Sequence, residues 1–392
     1  MLRSGVPDAA AGLLQHRVVA LIRRIKAGTR SAQAIEPELR GRVGTRLTTA
    51  LRLREIETRE LLGAIETGTA PVDPWTELYR LQLACDELFE ETLSLLEGAA
   101  LRAARLDDGY CGIADALLDE IGELTPVAWD SFTVLGTEEI YVRSTRVISV
   151  RFPSRSFWDL PVVVHEYGHF AGPAVTVDGG ARTVHPLEDQ LQRTRRARSD
   201  AHWPWLHEVF ADAFATYVLG PAYGLACALD RFDPAAARDG TPTHPPPNLR
   251  IAAIVAVLDR QNPDRRYDHV LHTLRTAWSG ATAEAGTSEP VALTDPYGSW
   301  LDDCMTFLTG HLAEARYGTG WWSAQELAHG LGGDEYGEAP HLVPGPAAGH
   351  RMRDIVNAGW LARIGTTDDR ARREIERQVR ELAEFSMARE VP

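Results

Sequence analysis

The segment Val162-Val-Val-His-Glu-Tyr-Gly-His-Phe170 limits this 392-residue chain more than any other stretch. His165 and His169 sit four positions apart, so on an α-helix both imidazoles share one face, one turn apart, where they can close on a single zinc ion. Val162 to Val164 and Phe170 are apolar, which makes that helix at least partly buried, and buried histidines need partners. Glu166 lies about 100° round the helix from His165, out of position for a third ligand but able to reach a water on the metal. Two core histidines satisfied by hydrogen bonds are the plainer alternative.

A catalytic zinc takes three protein ligands and leaves one position open. The segment Trp205-Leu-His-Glu-Val-Phe-Ala-Asp-Ala-Phe-Ala-Thr-Tyr217 repeats its apolar residues at helical spacing and carries Glu208 and, one turn on, Asp212. Glu208 is the expected third ligand. Asp212 is expected to accept the free ring N–H of a ligand histidine, which fixes its tautomer. Glu188, in Val184-His-Pro-Leu-Glu-Asp189, is the rival for the third position, although its surroundings are polar and Gln192 stands where a supporting acid would be. His202 and His207 are weaker options.

These residues resemble the gluzincin metallopeptidases, in which a His-Glu-x-x-His helix precedes a second helix carrying Glu-x-x-x-Asp. Thr243-His-Pro-Pro-Pro-Asn-Leu-Arg250 adds a third segment, similar to the Thr-His-Pro stretch ending in Arg of HtpX-like gluzincins and the small minigluzincins. The resemblance spans about Val147 to Ile251. It implies zinc held by His165, His169 and Glu208, with Glu166 as general base. It further implies that His244 donates to the developing oxyanion and that Arg250 orients or charge-stabilises that region. Tyr217 and Tyr223 are reserve donors. Unlike the membrane members, the chain has no long uncharged apolar run.

Before the zinc helix the pattern alternates, in Phe132 to Leu135, Glu139 to Val142 and Val147 to Phe152, which predicts a small antiparallel sheet. Val147 to Phe152 is the expected edge strand, with Val147, Ser149 and Arg151 pairing main chain to main chain with an extended substrate. The flanks read as helices: Leu13 to Ala27, Ile35 to Glu66 and Pro74 to Ala104 on one side, and several after Ile251 on the other. The insertion from Ala171 to Pro204, with Arg193 to Arg198, is expected to be a polar loop and a candidate lid. Trp300, Trp321, Trp322 and Trp360 are expected to pack the core or line a cleft. His311, His329, His341 and His350 lack ligand spacing.

A net charge of −14 argues against general nucleic-acid binding. Lys26 is the only lysine, and with abundant Ala, Gly and Pro this points to a GC-rich bacterial genome. Cys85, Cys111, Cys227 and Cys304 form no close pair, so buried thiols in a reducing cytosol are expected. No secretory leader is evident. The expectation is thus an α+β, mostly α-helical fold: a zincin-like catalytic domain over 108–265 with a small antiparallel sheet, flanked by helical regions over 1–107 and 266–392. Its expected role is cytoplasmic, zinc-dependent hydrolysis of peptide or protein substrates, with no nucleic acid and no membrane span, and with the N-terminal helices open to a regulatory partner. The alternative is a zinc-stabilised regulatory or binding protein whose closed site gains a fourth ligand from His185, His202 or His207.

Overall fold

The computed structural model describes residues 6–35, 42–151, 156–178, 183–197, 202–288, 292–331 and 350–389. Phe152, Arg198 and His341 fall outside the described residues. The backbone divides into two compact units that do not follow chain order: one takes Met1–Asp108 with Asp130–Phe152, the other Gly109–Trp129 with Pro153–Pro392. The helices after 265 therefore belong to the same unit as the His165 helix, and the small sheet belongs with the N-terminal helices.

In the first unit α1 (Val6–Ile35), α2 (Val43–Glu66) and α3 (Pro74–Ala103) pack together around Val18, Leu21, Leu47, Leu51, Leu81 and Leu88. Gly28, expected to end a helix, lies inside α1. A Cβ there would come within 2.9 Å of the Phe89 ring, so glycine serves the close approach of α1 to α3. Asp73 starts α3 by accepting from the Thr76 amide at 3.1 Å, with Pro74 in the first turn.

The sheet of this unit is mixed rather than antiparallel. β1 (Thr133–Gly136) runs parallel to β3 (Val147–Arg151), and β2 (Ile140–Val142) pairs antiparallel with β3, giving the order β1-β3-β2. β3 is the central strand. Val147 faces Val142, Ser149 is paired with both Val134 and Ile140, and Arg151 faces Gly136, so these residues cannot take up a peptide as an edge would. The reason is burial. Val147 to Val150 are all buried, as a strand covered on both sides requires, whereas Ile140 is exposed.

The second unit is built round α7 (Trp203–Leu219), in which every residue from Glu208 to Leu219 is buried. A helix apolar on all sides must be enclosed. It packs against α5 (Leu160–Ala174), α8 (Pro221–Ala226), α9 (Pro247–Arg260) and α11 (Tyr297–His311), with Trp300 Nε1 donating to the Leu206 carbonyl at 2.8 Å. The unit also holds α4 (Tyr110–Glu123), α6 (Pro186–Ala197), α10 (Asp268–Glu284), α12 (Gly320–Leu331), α13 (Met352–Ile364) and α14 (Asp369–Arg389). Trp300, Trp321 and Trp360 are buried, but Trp322 is 61% exposed.

The carbonyls that end α7 would be orphans in the interior, and distant side chains take them up. Gln261 donates to Tyr217 O at 3.0 Å, Arg353 to Val218 O at 2.9 Å and Asn357 to Leu219 O at 2.7 Å. Asn357 also accepts from the Ala222 amide at 3.0 Å, which starts α8 beyond Gly220. α13 thereby fixes where the buried helix stops.

The expected polar lid is instead ordered structure over most of its length. α5 continues to Ala174, a short ribbon pairs Val177–Asp178 with Thr183–Val184, and α6 buries Leu187, Leu191 and Thr194. Those three positions share one helical face, and Arg193, Arg195 and Arg196 fall on the solvent side. No helix among the described residues is long and apolar enough to cross a membrane.

α5 meets α7 through glycines. A Cβ on Gly168 would lie 3.0 Å from the Phe214 ring, and one on Gly172 would lie 2.3 Å from Phe210 and 2.7 Å from Leu187. Both rings are buried and cannot yield. Gly172→Val is therefore expected to destabilise by about 1–3 kcal/mol through overpacking, and thermal denaturation of the variant checks it.

Candidate metal centre

The crossing of α5 and α7 brings His165, His169 and Glu208 together. One ligand atom from each lies within 4.8 Å of the others, and they form the one such group of three or more among the described residues. His165 Nε2 is 3.3 Å from Glu208 Oε2, and His169 Nε2 is 3.3 Å from Glu208 Oε1. His165 and Glu208 are buried, and His169 is slightly more open, with 18% of its side chain exposed. Glu208 Oε2 is buried without a hydrogen bond. A buried carboxylate that turns one oxygen to each imidazole, with one of the two lacking an aligned hydrogen bond, gives a donor set of two nitrogens and one carboxylate that fits a divalent metal.

Behind the ligands lies a second set of contacts. Asp212, fully buried one turn beyond Glu208, stands 3.1 Å from His165 Nδ1. Arg250, in the first turn of α9, donates to both its oxygens, from Nε at 2.8 Å and from Nη2 at 2.6 Å. The Arg250 guanidinium also covers the Phe232 ring at 4.8 Å and comes within 3.7 Å of Glu208 Oε2. The Tyr223 hydroxyl donates to Asp212 and lies 3.0 Å from His165 Nδ1. With Nδ1 engaged by Asp212 and Tyr223, Nε2 is the nitrogen turned to the Glu208 side.

The electrostatics follow from these contacts. Burial alone would push Asp212 up, but the Arg250 guanidinium outweighs it and holds the carboxyl down at about 2. Glu208 is likewise held well below the ordinary carboxylate range, against its burial, by His165 and His169. Burial disfavours a charged His165, yet Asp212 and Glu208 on its two nitrogens raise it from 6.5 to about 9. A raised folded-state value means that the charged ring contributes stability fully present below 6.5 and lost as pH rises through about 9. The metal-free protein is thus expected to melt at progressively lower temperature across that window, as pH-dependent calorimetry after chelation would record.

The remaining expected residues fall as follows. Glu166 follows His165 on α5 and is partly exposed. His244 projects from the turn before α9, with 54% of its side chain exposed and Nε2 at 3.7 Å from Glu208 Oε2. Glu188 sits on α6, outside the group of ligand atoms. His185 contacts the Pro173 carbonyl at 3.3 Å, His202 packs on Trp205 and His207 on Trp203, so none of the three joins the group as a fourth ligand. Arg250 is committed to Asp212. Tyr223, expected as a reserve oxyanion donor, serves Asp212 and His165 instead, and Tyr217 is buried in α7. Val147, Ser149 and Arg151 belong to the other unit, in the middle of its sheet.

The sequence carried no signal for the task of Tyr223 or for Phe232: Tyr223 is placed by α8, which starts beyond Gly220, and Phe232 by the π-helical turn at Cys227–Arg231 just before it. No family model, curated protein or solved structure matches this chain, so its own geometry is what a functional assignment must rest on.

Proposed function

We propose that the protein is a zinc-dependent peptidase whose metal is held by His165, His169 and Glu208. The observation that carries this is the three-donor group itself, which no fourth His, Cys, Asp or Glu joins among the described residues, with an acid next to one of its histidines on the same helix. Zinc bound by such a donor set supplies Lewis acidity and makes water a nucleophile near neutral pH. Glu166 accepts the proton of the attacking water and returns it to the leaving amine. His244 Nε2 donates to the substrate carbonyl oxygen as negative charge builds on it. Asp212, backed by Arg250 and Tyr223, holds His165 in the tautomer that presents Nε2. The resemblance to gluzincins noted in the sequence agrees with these roles.

Metal analysis combined with a peptide-library digest tests the proposal. One zinc per chain together with cleavage that stops on chelation is expected. A protein that binds its metal stoichiometrically and cleaves nothing in the library would instead make the centre structural.

A further inference from the structure

We infer that Trp205 and Thr243 are positioning residues for His244: the Trp205 indole anchors the turn that carries it, and the Thr243 hydroxyl sets the rotation and tautomer of its ring. The consequence for hydrolysis rests on the peptidase proposal, whereas the hydrogen bonds can be tested without it.

His244 needs such help. Thr241, Pro242, Thr243 and His244 are all exposed, and an exposed histidine on an unsupported turn would sample several rotamers. Here the turn is closed on itself. The Thr241 amide donates to the His244 carbonyl at 2.8 Å, and Thr241 Oγ1 accepts from the amides of His244 at 2.9 Å and of Thr243 at 3.3 Å. Trp205, on α7, ties the turn to that helix: its Nε1 donates to the Thr241 carbonyl at 2.9 Å. The indole lies so close to Gly240 that a Cβ there would be 2.5 Å from the ring. His202 and Tyr297 flank the indole at centroid distances of 5.0 and 6.0 Å. Trp205 stands one helical turn before Glu208. A single rigid element therefore carries both a ligand and the anchor of His244, which fixes the separation between them.

The polarity of the hydrogen bonds then decides the ring. Thr241 Oγ1 already accepts two amides, so its own proton is free to go to Thr243 Oγ1, 3.3 Å away. Thr243 Oγ1 lies 2.9 Å from His244 Nδ1, a bond whose donor the tautomer sets, and in our assignment Thr243 is the donor. With Nδ1 an acceptor, a neutral imidazole carries its proton on Nε2, the nitrogen that faces Glu208 at 3.7 Å. A donor aimed at the centre is the tautomer that oxyanion stabilisation requires.

Three substitutions test this in the 392-residue chain: Trp205→Phe, which keeps a ring and removes the N–H; Thr243→Val, which removes the hydroxyl at constant shape; and Thr243→Ser, which restores it. In metal-free protein, hydrogen exchange of the Thr241, Thr243 and His244 amides is expected to speed up about tenfold in Trp205→Phe, with α5 and α7 unchanged. Nitrogen chemical shifts of labelled histidine, with His244→Ala for assignment, are expected to report the Nε2–H form in the parent and in Thr243→Ser, and a mixture in Thr243→Val. In peptide hydrolysis, Trp205→Phe and Thr243→Val should each lower kcat about tenfold with KM and zinc content unchanged, and neither should lower it further in a His244→Ala background. Unaltered exchange and an unaltered tautomer, or losses that add to that of His244→Ala, would overturn the inference. If the parent protein cleaves no peptide, the peptidase proposal fails while exchange and tautomer still decide the role of Trp205 and Thr243.

Discussion

Replacing Glu166 by Gln is expected to abolish peptide hydrolysis while leaving zinc content and melting temperature close to those of the parent. The amide is nearly isosteric with the carboxylate, and Glu166 is not in the ligand group, so neither the α5–α7 crossing nor the donor set changes. What is lost is a base for the water's proton and an acid for the leaving amine. General acid–base catalysis contributes about 10²–10⁴-fold, and in the proposed mechanism one residue serves both steps, so a loss at the upper end of that range is expected in kcat. Metal analysis beside single-turnover cleavage separates the two effects. A variant that retains zinc and cleaves at the parental rate would remove Glu166 from the mechanism, and one that loses zinc would mean that its carboxylate supports the ligands.

Asp212→Ala is expected to be the most destabilising single change at the centre. Asp212 is fully buried and accepts from Arg250 twice, from Tyr223 and from His165 Nδ1. Its removal leaves a buried guanidinium uncompensated, and breaking a buried pair in this way costs about 3–5 kcal/mol. It also frees His165 to turn, for which the loss of such a partner lowers metal affinity about 10–100-fold. Thermal denaturation and competition with a chromophoric chelator measure the two quantities. Removing both partners, in Asp212→Leu with Arg250→Leu, should restore much of the stability but none of the affinity, because the uncompensated charge is gone while His165 still lacks its acceptor. Equal stability loss in the single and double variants would show that packing, rather than the buried charge, sets the cost.

Much of the centre was legible in the chain because its parts are local. His165 with His169, and Glu208 with Asp212, each depend only on helical periodicity, and a helix puts residues four apart on one face whatever surrounds it. Arg250 and His244 were visible as a Pro-set turn opening a helix, although the partner of Arg250 was not. The sheet was misjudged for a related reason. Alternation locates strands but leaves their order open, and the continuous Val-Ile-Ser-Val of β3, buried at every position, was the signal for a central strand. α6 went unrecognised because its mean composition is polar, while Leu187, Leu191 and Thr194 hold one narrow buried face.

Sequence by itself therefore determined the helices that bear the site and which chemistry each can offer: two imidazoles and an acid on α5, two carboxylates on α7, and a histidine and an arginine around the start of α9. Only the tertiary structure decided that Glu208 rather than Glu188 meets the two histidines, since that choice depends on the close α5–α7 crossing that Gly168 and Gly172 allow. The same holds for Arg250 and Tyr223 on Asp212, and for Trp205 on the turn of His244. Periodicity constrains one element at a time, whereas a metal centre and its supporting hydrogen bonds are set by distances between elements, and those are fixed by packing.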